Sequence, residues 1–554
     1  MDLYYRHSLS SGTRRDTHED EEAEMFNTSP QSERRRVQHV DGFRISVDQT
    51  LSPKFGSVFP HASNSREIES VLMDYYVNKI QQDRVYLLLD QGKNPVTFMF
   101  EAACTSPTIY SSILMYAADR LARLDSKFSY VTMHYRQRTL NSLRDLLIRQ
   151  DGSMRDILLV SMMLCTVEIN DLYPSTWVVH FSAYRHAIQQ RIIRNAECRD
   201  DDYGYNLGYR YFTHQLIMAK TMFDVEAASS AFVTASNHGR SVDDSRSRWT
   251  STENLALEMD LDSLRIIDPY CNFSNALLLL VNEVTDLKRL QSSTQRLKHA
   301  RDRRKQELLI QTKMQRLNAS LVNLTQVTPE WIRESEPEVV VTMIEQVAEA
   351  NRLAALILLL HEPYLPSAHH NAAAGVGRGG SPITSIPVSP FNKTAPASCV
   401  RDEKENHIKI LLQLLDGIVG SDYPLAPSWP LWPVFIAGCC TNNEDNRIAV
   451  MNIFNTIRGM THRAWGSMSD WLTDGLYFSQ NIASAFRILR AVWRQRDLQA
   501  DMNDVCIRTI SRRRKREKQA CGSQAVPSRS GTSSEYIYEW QSVMDMIGER
   551  ISPT

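Results

Sequence analysis

Apolar residues recur at helical spacing along most of this chain, and that period is the strongest constraint on its fold. Residues 65–80, 109–124 and 130–149 each carry apolar side chains three or four positions apart. Residues 154–169 are apolar on almost every side, which is typical of a central, fully buried helix. Stretches that alternate apolar and polar residues between turn pairs are nearly absent. The sequence therefore predicts an all-α fold with many helices of about 12–25 residues.

The same period continues in the second half of the chain. We expect a long buried helix that is stopped by Pro363 and Pro366, because proline lacks the N–H group and clashes with the preceding turn. The further helices predicted by this pattern are 177–195, 208–234, 270–299 and 339–366.

Changes in composition divide the chain into three parts. Residues 1–65 are polar, with an acidic and a basic cluster, and cannot bury enough apolar surface to offset the entropy of ordering, so we predict a disordered N-terminal region. Residues 66–500 hold the helical pattern and form one large domain. Within it, 366–402 is rich in Gly, Ser, Pro and Ala and is predicted to be a flexible insert. Residues 501–554 form a basic C-terminal tail.

Charge and cysteine content exclude several functional classes. The 63 Lys and Arg residues nearly cancel the 64 Asp and Glu residues, so the whole chain has no bias toward nucleic acid or a membrane surface. The longest apolar runs, 354–360 and 276–281, are far shorter than a membrane span. The nine cysteines are scattered and no secretory leader precedes them, which favours free thiols in a reducing compartment. We expect a soluble intracellular protein without a membrane partner.

The candidate motifs for catalysis and for metal binding each lack the residues or the local context that such a site requires. The chain contains no Cys-x-x-Cys pair, and the consecutive Cys439 and Cys440 would diverge by about 100° on a helix, so packing as small apolar side chains is favoured over a zinc or disulfide role. The glycine-rich stretch 375–380 follows no strand and opens no helix. The acidic run 442–447 lies beside a proline-rich corner rather than on a buried helix. We predict no enzyme, no cofactor and no metal.

Two basic runs remain after these exclusions. Residues 283–316 hold ten Lys or Arg and four Asp or Glu, and their two apolar seams are out of phase. That pattern favours two helical segments docked on the bundle over one coiled coil, with the charges on a solvated face rather than in a nucleic-acid patch. The second run, 508–520, is predicted to be a nuclear-import signal, with a phosphate-binding tail or a plain solvated tail as the alternatives. Its candidate residues are Arg512, Arg513, Arg514, Lys515, Arg516 and Lys518.

The segment 429–447, WPLWPVFIAGCCTNNEDNR, is predicted to be a structural corner. Pro430 and Pro433 interrupt and restart the chain, and we expect Gly438 to allow close contact between helices. We expect Arg447 to pair with a nearby carboxylate, Glu444 or Asp445. The apolar residues that seal the corner into the bundle are Trp432, Phe435 and Ile436.

Five segments in order resemble the fungal-specific transcription factor domain family. They are VLMDYYVNKI, MHYRQRTLNSLRDLL, YFTHQLIMAKTMFDVEAAS, ALILLLHEPYLP and the Trp-Pro segment, and together they extend the resemblance over 66–500. The resemblance implies a large multi-helix regulatory domain. The residues that match the family's Trp-Pro motif are Trp432, Pro433, Phe435, Ile436, Ala437, Gly438, Cys439 and Arg447.

One departure from the family limits what the resemblance implies about DNA. Its members normally carry a six-cysteine zinc cluster before this domain, and the first 103 residues here contain no cysteine. We therefore expect DNA contact only indirectly, or through an N-terminal module that is lost or encoded upstream. The resemblance implies a nuclear regulator of a metabolic or biosynthetic gene set whose partners are other regulators, a second copy or a small-molecule effector. An all-α scaffold or cofactor protein is the alternative, and a helical enzyme is a weaker one.

Overall fold

The computed structural model describes the helical parts of the 554-residue chain. The described residues are 65–80, 95–148, 153–169, 176–181, 184, 203–225, 263–268, 271–295, 297, 299–362, 397–421, 431–464, 480–516, 536–547 and 550–551. The predicted disordered region and most of the predicted insert lie outside them. None of the helices described is long and apolar enough to cross a membrane.

Within the described residues the structure has fifteen α-helices and one pair of two-residue strands, which confirms the all-α prediction. A π-helical turn at Tyr76–Ile80 and 3₁₀ turns at Ser126–Phe128 and Thr176–His180 connect some of them. The helices are α1 (Ser65–Tyr75), α2 (Pro95–Thr105), α3 (Pro107–Leu124), α4 (Ser129–Ile148), α5 (Met154–Ile169), α6 (Tyr203–Met222), α7 (Asn275–Gln295), α8 (Ala300–Val322), α9 (Glu330–Ser335), α10 (Glu338–Leu360), α11 (Ala397–Val419), α12 (Leu431–Cys440), α13 (Glu444–Ala464), α14 (Gln480–Arg516) and α15 (Glu539–Ile547), and the strands are β1 (Ile267–Asp268) and β2 (Phe273–Ser274).

The chain forms two compact units, Met1–Leu140 and Asn141–Thr554, and the boundary falls within α4. In the first unit α3 packs against α1 and α2. Ser106 caps α3 by accepting a hydrogen bond from the Ile109 backbone N–H, and Pro107 occupies the first turn, where its missing N–H needs no partner. The domain limits predicted from sequence at 65 and 500 stay predictions.

In the second unit α10 is the central helix. It packs against α7, α8, α9, α11, α12 and β2, and 14 of its 23 residues are buried. Its second half, from Leu353 to Leu359, is apolar on every side and fully buried. The sequence placed its end at 366, but the helix ends at Leu360, because Pro363 disfavours helical geometry in the residue before it and lacks the N–H that would continue the ladder.

Three other predicted helices have different limits in the structure. The stretch predicted at 177–195 begins as the 3₁₀ turn Thr176–His180, and residues 185–202 lie outside the described part. The helix predicted at 208–234 is α6, which begins at Tyr203 and ends at Met222. The helix predicted at 270–299 is α7, and the residues before it form the β1–β2 pair with Ile267 opposite Ser274. Pairing with a neighbouring strand therefore replaced the helical geometry that local pattern predicted.

Gly208 permits the close packing of α6 on α5. A Cβ at this position would lie 2.8 Å from Leu158 Cβ, whereas a Cβ at Gly417 on α11 would meet nothing within 4 Å. We expect Gly208→Ala to lower the free energy of unfolding by about 1–3 kcal/mol through overpacking. Gly417→Ala should instead raise it by up to about 1 kcal/mol, because alanine is the better helix former. Urea unfolding followed by circular dichroism measures both, and equal effects of the two variants would contradict the packing argument.

Candidate functional site

The predicted structural corner contains α12, a short helix at the centre of the second unit. All ten of its residues are buried, and it packs against α10, α11, α13 and α14. Pro433 is its third residue, within the first turn, where backbone N–H groups have no intrahelical partner, so proline is tolerated there. The structure thus uses this segment as a core helix around which four others are arranged.

Three buried indole N–H groups tie this core together. Trp432 donates to Thr221 Oγ1 at 3.0 Å, and Trp540 donates to the Thr221 carbonyl at 3.1 Å. Trp493 donates to the Gly438 carbonyl at 2.9 Å. A buried indole N–H that lacks an acceptor is costly, so each of these bonds fixes the orientation of a large ring. Through Thr221 at its end, α6 is joined to both α12 and α15.

Gly438 lies where α12 approaches α13 and α14 most closely. A Cβ there would be 2.8 Å from a Leu489 methyl carbon and 3.2 Å from one of Val450. Beside it, Arg447 lies over the Trp493 ring at 5.5 Å from the centroid. Its Nη1 is 3.0 Å from Asp497, in addition to 3.5 Å from Glu444, one of the two partners predicted from sequence.

The acidic run 442–447 caps a helix. Asn443 Oδ1 accepts from the Asp445 backbone N–H at 2.8 Å, which satisfies one of the free donors at the start of α13. Glu444 and Asp445 lie in the first turn, where negative charge is favourable to the helix dipole. Glu405 of α11 anchors the turn by accepting from Thr441 Oγ1 at 3.0 Å. Among the described residues no group of three or more His, Cys, Asp or Glu could hold a metal ion.

Arg496 of α14 joins the end of α12 to the start of α15. Its Nη2 donates to the Cys439 carbonyl at 2.6 Å and its Nη1 to the Thr441 carbonyl at 3.1 Å. Its Nε donates to Glu539 at 2.6 Å, and both side chains are mostly buried. The sequence analysis missed Arg496 and Glu539, since an isolated Arg and an isolated Glu carry no local signal of a contact 43 residues apart.

The two adjacent cysteines, Cys439 and Cys440, have thiols that burial keeps protonated. Both thiols are free and buried. Burial raises the pKa of the Cys440 thiol to about 11, and burial raises the pKa of the Cys439 thiol well above its usual range. Because the thiolate is the nucleophile and the metal ligand, two protonated thiols favour packing over chemistry.

Lys288 is the most unusual group beside this core. It lies in the basic run 283–316 but is only 1% exposed, so the predicted solvated face does not include it. Its Nζ donates to the Leu359 carbonyl at 2.6 Å and to the His361 carbonyl at 2.5 Å, and thereby caps the end of α10. Burial lowers the pKa of Lys288 to about 7, opposed by the nearby Cys440 and Glu362 and reinforced by Lys404.

The described part of the basic run forms two helices, as the sequence predicted, since α7 ends at Gln295 and α8 begins at Ala300. The two pack together with Arg316 paired to Glu283, and Arg296 and Lys298 lie outside the described residues. Arg301, Arg304 and Lys305 are exposed.

The second basic run continues α14. Arg512, Arg513, Arg514, Lys515 and Arg516 form the end of this helix, and Lys518 lies outside the described residues. The α12 contacts of α14 are at Leu489, Trp493 and Arg496, about four turns earlier. The structure therefore does not bring the import candidate and the Trp-Pro motif together.

Buried, capped helix ends and protonated thiols are typical of the core of a large helical domain rather than of a reaction centre. The chain matches the model of the fungal specific transcription factor domain over residues 71–517, which confirms the resemblance found in the sequence. It belongs to this family of transcription-factor regulatory domains, and membership supports a role in transcription regulation. No curated protein and no solved structure matches the chain.

The low pKa of Lys288 makes stability depend on pH. Between about pH 7 and 10.5 the unfolded chain binds a proton at this lysine that the folded chain does not, so the free energy of unfolding rises with pH. Lys288→Met should remove this dependence. We expect the free energy of unfolding of the wild type, minus that of the variant, to rise by up to about 1.4 kcal/mol per pH unit across this window.

Denaturant unfolding at intervals from pH 6 to 10 measures this difference. Lys305→Met, at an exposed lysine of α8, is the matched control and should show a flat difference. If the difference between wild type and Lys288→Met is also independent of pH, the lowered pKa of Lys288 is contradicted.

Proposed function

We propose that this protein is a nuclear transcription regulator that acts through contacts of its helical domain with other proteins. The observation that carries the proposal is the family match over 71–517, which includes both the α12 core and the basic end of α14. The protein partners would be other regulators or a second copy of the chain. DNA would be reached through such a partner or through an N-terminal module.

Two finer features of the proposal follow from the family and the core. The regulated genes would be a metabolic or biosynthetic set, and a small-molecule effector would bias the arrangement of the helices. Such an effector has no open access to α12, since all ten residues of that helix are buried. It would therefore act by changing the packing of the surrounding helices.

The first test concerns entry into the nucleus. We expect a fluorescently tagged full-length chain to accumulate in the nucleus, and a variant with Arg512, Arg513, Arg514, Lys515 and Arg516 all replaced by alanine to lose most of that accumulation. The physical reason is that a cluster of cations is needed for recognition by import receptors. Quantitative microscopy of the nuclear-to-cytoplasmic ratio is the measurement.

A matched control removes cations elsewhere. Arg301, Arg304 and Lys305 are exposed on α8, and their replacement by alanine should leave the ratio unchanged. A cytoplasmic wild-type chain, or equal loss in both variants, would contradict the assignment of the import signal to the end of α14.

The second test separates a regulator from a scaffold. When the full chain is fused to an unrelated DNA-binding module, we expect transcription of a reporter that carries the matching site to differ from that with the module alone. A fusion that carries Gly438→Leu should lose this effect, because the added side chain collides with Leu489 and Val450. An unchanged reporter, with the fusion present in the nucleus at normal abundance, would favour the scaffold hypothesis.

A further inference from the structure

Helix α15 fills a cleft in the second unit with a set of buried aromatic and apolar side chains. The Trp540 ring stacks on Tyr538 at 4.4 Å, meets Phe435 of α12 edge-on at 6.2 Å and lies 5.7 Å from the His361 ring at the end of α10. Glu539, Trp540, Val543 and Met544 of α15 are buried, whereas Met546 in its last turn is 72% exposed. Large apolar side chains of a short helix are thus seated in a groove formed by other helices.

Polar contacts at the base of the cleft are specific for the residues that α15 brings. The Thr221 carbonyl belongs to the last turn of α6, where carbonyls lack intrahelical donors, and the Trp540 indole N–H satisfies it. Arg496 donates to the Glu539 carboxylate, which lies in the first turn of α15. The cleft thus offers an acceptor for an indole N–H and a cation for a carboxylate one residue earlier.

The connection to α15 is longer than the docked position requires. Glu539 contacts Arg496, and α14 continues for another 20 residues to Arg516, about 30 Å along the helix axis. The residues from 517 to 535 can span about 60 Å when extended. The position of α15 is therefore determined by its own contacts and not by a short connection, so the helix can leave the cleft without unfolding α14.

We propose that this cleft is a peptide-binding site which α15 occupies within its own chain, and that it also takes an amphipathic helix of a partner protein with a Glu–Trp pair. The partner's Trp would donate to the Thr221 carbonyl, and its Glu would pair with Arg496. Only the biological use of this site rests on the proposed protein-contact function. Displacement of α15 would then couple partner binding to the α12 core, since Arg496 also holds the Cys439 carbonyl.

Peptide exchange on the full chain tests the proposal. A protease site is inserted between Gly522 and Ser523, the chain is cut, and a fluorescent peptide of residues 534–554 is added. We expect the cut fragment to stay bound during gel filtration and the labelled peptide to replace it saturably, measured by fluorescence anisotropy. The Trp540→Ala peptide should bind about 30-fold more weakly, as is common for central aromatic anchors. The Glu539→Gln peptide should bind roughly tenfold more weakly and depend less on salt.

Two controls define the chemistry that the cleft selects. The Met546→Ala peptide alters an exposed side chain and should bind like the original. A designed helix that keeps only Tyr538, Glu539, Trp540, Val543 and Met544 in an unrelated sequence should compete, and its scrambled form should not.

Three outcomes would overturn the proposal: loss of the helical circular dichroism signal after cleavage, a fragment that never exchanges while the core stays folded, and equal binding of all the peptides. Each is measured on purified protein. Failure here therefore leaves the localisation and reporter results untouched, and failure of those tests leaves the exchange result untouched.

Discussion

Carbonyl groups at the ends of buried helices need hydrogen-bond donors, and donors from distant parts of the chain supply them. Trp540 donates to the Thr221 carbonyl of α6, Lys288 to the Leu359 carbonyl of α10, and Arg496 to the Cys439 carbonyl of α12. Arg352 of α10 does the same for the Leu321 carbonyl of α8 at 2.8 Å. Each contact therefore both satisfies a helix end and determines which element must lie beside it.

Cations suit this task because the end of a helix carries partial negative charge. Burial lowers the pKa of Lys288 to about 7, opposed by Cys440 and Glu362, and its Nζ donates to two carbonyls at the end of α10. Arg496 offers several donors in a planar group and can therefore hold the Cys439 carbonyl of α12, the Thr441 carbonyl just after it and the carboxylate of Glu539 together. Arg496 thus connects the end of the family's Trp-Pro segment to α15, in addition to the edge-on contact of Phe435 with Trp540.

Local pattern predicted the helices that lie in the core, because an apolar stripe has to be covered wherever the helix is placed. The all-α fold, α10 as a long buried helix and the separation of α7 from α8 are of this kind. The end of α10 at Leu360, the burial of Lys288 and the capping role of the run at 442–447 were not predicted. The burial of Lys288 depends on carbonyls 71 and 73 residues along the chain, and a lysine in a basic run has the same sequence pattern whether it is exposed or buried. The other two features are local and were missed because proline and Asn443 act through backbone geometry that the apolar period does not carry.

The sequence by itself determined the class of fold and the family, because periodicity and short motifs act within a few turns. Only the tertiary structure decided which polar side chains are buried, and it placed α15 in the core although its range was predicted to be a basic tail. Trp540 and Thr221 are 319 residues apart, and their hydrogen bond exists only where the end of α6 faces the cleft. A buried polar group such as this indole N–H finds its partner only through long-range geometry. The hydrogen bond of Trp540 therefore makes α15 part of the core of the second unit.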